Sequence, residues 1–151
     1  MGCTSAEFVA ALAKEVLAKG DAANGKKVFQ VPLVSCTACH AVDGVRGAVT
    51  SVKGPNLSAV AAGLPLDLLV ESVLWPARQI KEGYEANTVV TKDGRVLSGF
   101  AHSEDKIVLR IRDLATGKIA PVQISNIQQR TKGGTVMPPG LTVSLTRAEL
   151  R

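Results

Sequence analysis

Residues 36–40 read Cys36-Thr37-Ala38-Cys39-His40, two thiols separated by two residues with an imidazole directly after the second. Two thiols at this spacing can add across the two vinyl groups of one haem. The next residue is then carried beneath the iron as an axial nitrogen ligand, and Cys-x-x-Cys-His is the attachment signature of a c-type haem. Other chemistry suits the string less well. Structural zinc takes four ligands in a compact cluster, and outside the motif only Cys3 and His102 remain as cysteine or histidine donors. A thioredoxin-like dithiol belongs to a βαβ pattern, and none surrounds this motif.

An iron held by His40 has a second axial position. Met137 is the only methionine besides Met1, and His102 the only histidine besides His40. Met137 opens Met137-Pro138-Pro139-Gly140, behind Gly133-Gly134. Prolines stiffen the backbone there, where a thioether would have to be held against iron. His102 stands beside Ser103-Glu104-Asp105, the composition of an exposed turn. Met137 is therefore the expected distal ligand, with His102 the weaker candidate and an open or water-bound position the alternative. Histidine–methionine ligation raises the reduction potential. It also saturates the iron, as suits a carrier rather than a catalyst.

A ligating histidine needs an acceptor for its other ring N–H. Gly54-Pro55-Asn56-Leu57 offers the Pro55 carbonyl. On the residues alone this role and that of an ordinary loop proline stand level.

The elements that must position these residues are legible in part. Thr4 and Glu7 form a Thr-x-x-Glu capping box. Phe8, Leu12 and Val16, with Val9, Ala13 and Leu17, then predict an amphipathic helix over 5–19, stopped by Gly20. Asp21 caps a second helix over 22–30, with Gly25 and Phe29 on one face. A Gly-rich loop runs from Val42 to Gly54. Pro65 opens a third helix, with Leu66, Leu69, Val70, Val73 and Leu74 on its apolar face and Pro76 at its end. Trp75 is either core or part of a haem pocket. The period then changes, and 86–92, 95–101, 106–112 and 118–124 read as strands, with Asp93-Gly94 as a two-residue hairpin turn. Ile107, Leu109 and Ile111 alternate with polar positions, which predicts one buried face. Thr146 and Glu149 form a second capping box near Arg151.

The length of 151 residues fits one domain with an embellishment. Hydrophobic residues make up 46% but aromatics only 3%, and a buried haem would supply large apolar surface that the side chains lack. The formal charge is +5. Residues 1–83 carry 8 basic and 7 acidic side chains and residues 84–151 carry 10 and 6, so the excess lies in the second half. No basic run is interleaved with aromatics, which argues against nucleic acid. No apolar run approaches the roughly 20 residues of a membrane span. No secretion signal precedes the motif. Covalent haem attachment in bacteria takes place outside the cytoplasm, so the expected location is periplasmic or otherwise extracytoplasmic, with a signal or upstream region absent from this chain.

With these residues in view, the chain resembles a class I c-type cytochrome. The matching residues are Gly25, Phe29, Cys36-Thr37-Ala38-Cys39-His40, Gly54-Pro55-Asn56-Leu57 and Met137-Pro138. More narrowly it resembles the haem-binding domain found in planctomycetes and related bacteria, often at the end of large predicted dehydrogenases. The stretches that carry this are 68–76, 80–85, Thr91-Lys92-Asp93-Gly94-Arg95 and Met137-Pro138-Pro139-Gly140-Leu141. The resemblance covers roughly residues 20–151. It implies a mainly α fold, the class I cytochrome c helical fold around one covalently attached haem c, with an inserted four-stranded antiparallel β-meander. It implies a core of 21–83 and 125–151 and the insertion at 84–124, which leaves 1–20 as an extra N-terminal helix. It gives Pro55 the acceptor role toward His40 and Met137 the distal iron position. The family's C-terminal helix, which crosses the first helix near Gly25 and Phe29, is almost wholly missing. Either that helix is truncated from this chain, or another segment covers the face, with helix 5–19 or a second copy in a homo-oligomer as the expected cover.

The implied function is electron transfer by a monohaem c-type cytochrome with His40 and Met137 as ligands. The chain would be a carrier rather than an enzyme, serving a redox protein partner such as a larger dehydrogenase of which it could be the haem domain. The alternative is gas sensing or catalysis at an open sixth iron position, which needs Met137 to be displaced. The β insertion would be a docking module in a third reading, compatible with the first.

Overall fold

The computed structural model describes residues 5–43 and 53–151. Cys3, the Thr4 cap and positions 44–52 of the expected loop lie outside the described residues. The described chain divides into two compact units. Residues 5–43, 55–78 and 138–151 belong to the first, residues 53–54 and 79–137 to the second.

In the first unit Ser5–Lys19 forms helix α1, the range that apolar spacing predicts. Ala22–Gln30 is α2, Val60–Gly63 a single-turn α3, and Leu66–Leu74 is α4. Val9, Leu12 and Ala13 of α1 are buried against Val70 of α4, and Phe8, Val16, Leu66, Leu74, Trp75 and Leu150 pack around them. Trp75 is thus partly buried, packed against this cluster. The Arg78 guanidinium lies 4.2 Å above its ring and pairs with Glu71 at 2.9 Å. Leu17, expected on the apolar face, is 80% exposed. The second capping box forms: the Thr146 N–H and hydroxyl both donate to Glu149 Oε2, at 2.8 and 2.7 Å. It opens a turn over 147–150 rather than a helix. That turn brings Arg147 onto Glu15 through two hydrogen bonds of 3.0 and 2.9 Å, with its guanidinium 4.9 Å from the Phe8 ring.

The second unit is a five-stranded antiparallel sheet. Its strands are β1 (Ala86–Thr91), β2 (Val96–Glu104), β3 (Val108–Asp113), β4 (Ile119–Gln123) and β5 (Ile127–Lys132), in the order β4-β3-β2-β1-β5. The two edge strands are joined by a 3-10 turn of three residues, Ile124–Asn126. Such a short link between opposite edges requires the sheet to coil. Its concave face accordingly closes on one cluster: Val89, Leu109, Ile111 and Val122, with Leu97, Ala101, Ile124 and Ile127 packed on it. The β1–β2 turn has three residues rather than two. Gly94 N–H donates to the Thr91 carbonyl at 2.9 Å and Gly94 takes φ +85°, a type I turn closed by a left-handed glycine. Near the far end of β1, the buried Asn87 accepts from Arg130 Nε at 3.1 Å, and Arg130 reaches Glu104 at 2.8 Å.

The expectation of a mainly α class I cytochrome c fold with a four-stranded insertion is therefore corrected. Among the described residues the chain is an α+β protein with four short helices and a five-stranded antiparallel sheet. The reason lies at residues 127–132, expected as part of the helical core. They stay extended and pair with the open edge of β1, from Thr91↔Ile127 to Asn87↔Lys132. An exposed strand edge presents unpaired N–H and C=O groups, and β5 satisfies those of β1. No described helix is long and apolar enough to cross a membrane.

Several carboxyls are held below the usual range of about 4. For Glu15 the main cause is the Arg147 hydrogen bond, for Glu104 the Arg130 hydrogen bond, for Asp105 the backbone N–H of Ile107 and for Glu149 the backbone N–H of Thr146. A carboxyl with a lowered folded-state pKa stabilises the fold above its unfolded value. That contribution disappears as pH falls through the folded value. The thermal midpoint should hold between pH 7 and about 5 and drop below about 4. Calorimetry showing a flat or rising midpoint on acidification to about pH 3 would contradict these pairings.

Candidate functional site

The approach to the Cys-x-x-Cys-His motif is fixed from α2 onward. Asp21 caps that helix, accepting from the N–H groups of Ala23 and Asn24 at 2.9 and 3.0 Å. The chain leaves Gln30 and turns through Pro32, Leu33 and Val34, of which Val34 is buried. Ser35 then takes φ +51°, the left-handed region, at a cost of about 1 kcal/mol for a residue with a Cβ. Its hydroxyl donates to the Pro32 carbonyl and its N–H to the Val31 carbonyl, local bonds that hold the conformation.

Cys36–Ala38 form a 3-10 turn. Cys36 O accepts from Cys39 N at 3.1 Å and from His40 N at 2.9 Å. Cys36 opens this turn and Cys39 closes it, so the two thiols bracket a single turn of backbone. Both thiols are free and half-buried. Burial pushes the Cys36 thiol up, and the neighbouring Cys39 adds to this.

His40 leaves the turn along the segment 55–58. His40 Nδ1 lies 2.9 Å from the Pro55 carbonyl oxygen. Leu57 N donates to Ala41 O at 2.8 Å, Asp43 N to Ser58 Oγ at 2.9 Å, and Ser58 N to Asn56 Oδ1 at 2.8 Å. A carbonyl can only accept, so Nδ1 carries the proton. Engaging Nδ1 in this way leaves Nε2 as the nitrogen available to a metal, the arrangement of a metal-ligating histidine with its second nitrogen held by an acceptor. Cys36, Cys39, His40 and Pro55 are thus brought together in the first unit. Two thiols bracketing one turn, followed by an imidazole engaged through Nδ1, are a donor set that fits a covalently bound haem.

Met137 belongs to the second unit. Gly133 and Gly134 exchange hydrogen bonds of 3.0 Å with Ala86, extending the β1–β5 ladder. Met137 N then donates to Thr135 Oγ1 at 3.1 Å. The half-buried thioether is therefore anchored within a few residues of the sheet. His102 lies on β2, which runs on to Glu104, rather than in the turn its neighbours suggest; it is exposed.

The face marked by Gly25 and Phe29 is half-buried, and a Cβ at Gly25 would meet nothing within 4 Å among the described residues. Helix α1, one of the two expected covers, spends its buried face on α4 and Leu150. Sequence reasoning missed Ser35 and the pair Asn56 and Ser58. The Asn-x-Ser spacing is a readable signal for a local turn, whereas nothing in the composition marks Ser35 as left-handed. Among the described residues no three His, Cys, Asp or Glu side chains cluster as a metal cage. Neither protein-family models nor curated proteins match this chain.

Proposed function

We propose that this chain is a monohaem electron carrier of the c type, working outside the cytoplasm with a redox protein such as a dehydrogenase. Cys36 and Cys39 anchor the haem, His40 Nε2 ligates the iron, and the Pro55 carbonyl fixes the imidazole. Met137 is the distal ligand. The observation that carries this reading is the 2.9 Å pairing of His40 Nδ1 with Pro55 O beside two thiols on one 3-10 turn. A bound haem would supply a one-electron couple at the iron. The chain's own residues orient the proximal imidazole and hold its tautomer. A hydrogen bond to the second ring nitrogen also raises ligand basicity, and a thioether opposite shifts the potential upward.

The test is an optical spectrum of haem-loaded protein, oxidised and reduced, with and without carbon monoxide. A sulfur-to-iron charge-transfer band in the ferric form that disappears in Met137→Ala, with no carbon monoxide binding by the parent chain, is the expected result. High-spin iron that binds carbon monoxide readily, unchanged by Met137→Ala, would overturn the carrier role and favour sensing or catalysis at an open sixth position.

A further inference from the structure

On the outer face of the coiled sheet, Gly83, Tyr84, Phe100, Ala101, His102 and Arg112 line an open pocket of about 210 Å³. All six belong to the second unit. Phe100 and Arg112 stand opposite each other across β2 and β3, so both side chains leave the sheet on the same face. That face is opposite the one holding Leu109 and Ile111. Phe100 is nevertheless 2% exposed. Its ring meets Tyr84 edge-on, centroids 5.1 Å apart at 61°, which gives the pocket an aromatic floor and wall.

Two backbone irregularities shape the rim. A Cβ at Gly99 would lie 2.1 Å from the Arg112 carbonyl oxygen and 2.7 Å from Ile111 Cγ2. Strand β3 therefore approaches β2 more closely beside Arg112 than any side chain at 99 would permit. Two residues on, the register shifts between Ala101 and Ser103. His102 is the extra residue of this bulge, a device that re-aims a side chain.

Among the described residues, no carboxylate pairs with the charge at the pocket. Arg110 pairs with Asp105 at 3.1 Å and Arg130 with Glu104 at 2.8 Å. Arg112 is half-buried and, among the described residues, makes no ion pair or side-chain hydrogen bond. Among the described residues no carboxylate lines the pocket, whereas Arg112, His102 and Tyr84 all carry N–H or O–H donors. A partly desolvated guanidinium is costly without an acceptor, and its planar fork matches a carboxylate. We infer that this pocket binds a small free carboxylate, its acid group on the Arg112 fork with His102 as second donor and its apolar body against Phe100 and Tyr84. This site is separate from the haem reading and does not depend on it.

The test titrates the isotope-labelled full chain with benzoate, acetate and inorganic phosphate, following backbone amide resonances. Benzoate should give saturable shifts at Gly83, Ala101 and His102, with acetate weaker because it lacks the apolar body. Arg112→Gln should weaken benzoate about tenfold or more while the remaining resonances stay in place, and His102→Ala should weaken it several-fold. If Arg112→Gln fails to fold, the His102→Ala result decides. No saturable shift at these amides, equal affinity in the folded variants, or phosphate binding more tightly than benzoate would each overturn the assignment.

Discussion

Replacing Cys36 and Cys39 together by alanine should leave the chain with no haem that survives denaturation. The measurement is haem staining of a denaturing gel, after expression in a host that attaches haem covalently. The parent chain should stain, the double variant should not, and each single variant should hold its haem through one remaining bond. The expectation follows from the 3-10 turn at Cys36–Ala38, which the two thiols of Cys36 and Cys39 bracket. Cys36 O caps that turn by accepting from both Cys39 N and His40 N. The turn is thus a backbone feature, and alanines at 36 and 39 should not remove it. Pro55→Ala is the informative contrast. The atom facing His40 Nδ1 is a main-chain oxygen, so this substitution keeps the acceptor and should leave staining intact. A parent chain that carries no covalent haem under these conditions would refute the proposed function outright. A double variant that stains as strongly as the parent would refute the role of the thiols.

The parts of this structure that were legible in the sequence are those where one local rule decides. Helix α1 follows from apolar spacing over 5–19, and α2 from the side chain of Asp21, whose oxygen does meet two N–H groups. Strands β1 to β4 sit within a few residues of the alternating segments. The failures occur where a distant partner decides. Strand β5 reads Ile127-Gln128-Gln129-Arg130-Thr131-Lys132, almost wholly polar, so no hydrophobic period marks it. What holds it is the open edge of β1 and the reach of Arg130 to Asn87. Missing that strand left the fold class wrong. The Thr146 box shows the same limit from the other side. Its hydrogen bonds form as expected, yet the turn it opens ends at Leu150 on the α1 cluster. At the candidate site, the motif spacing announces Cys36, Cys39 and His40. The left-handed Ser35 that aims them depends on the Pro32 and Val31 carbonyls, which composition does not reveal.

Leu109→Ala should lower the unfolding free energy by about 3 kcal/mol, while Ile107→Ala two residues earlier should cost less than about 0.5 kcal/mol. Alternation alone puts the two isobutyl-sized side chains on one buried face. In the structure β3 begins at Val108, and Ile107 lies in the preceding turn, 68% exposed, whereas Leu109 is fully buried among Val89, Ile111 and Val122. Truncating Leu109 removes apolar contacts and leaves a cavity that the coiled sheet can only partly close. Truncating Ile107 exposes little that was not already in water. Against a typical domain stability of about 5–15 kcal/mol, the first change is large enough to read directly from a denaturant midpoint. Gly99→Ala belongs with Leu109→Ala, because its Cβ would collide with the Arg112 carbonyl of the neighbouring strand β3. Equal losses for Ile107→Ala and Leu109→Ala would mean that Ile107 is buried as simple alternation suggests, against its exposed place in the turn before β3. A large loss confined to Leu109→Ala and Gly99→Ala would support the coiled five-stranded arrangement, because only there do all five strands turn one face toward Leu109.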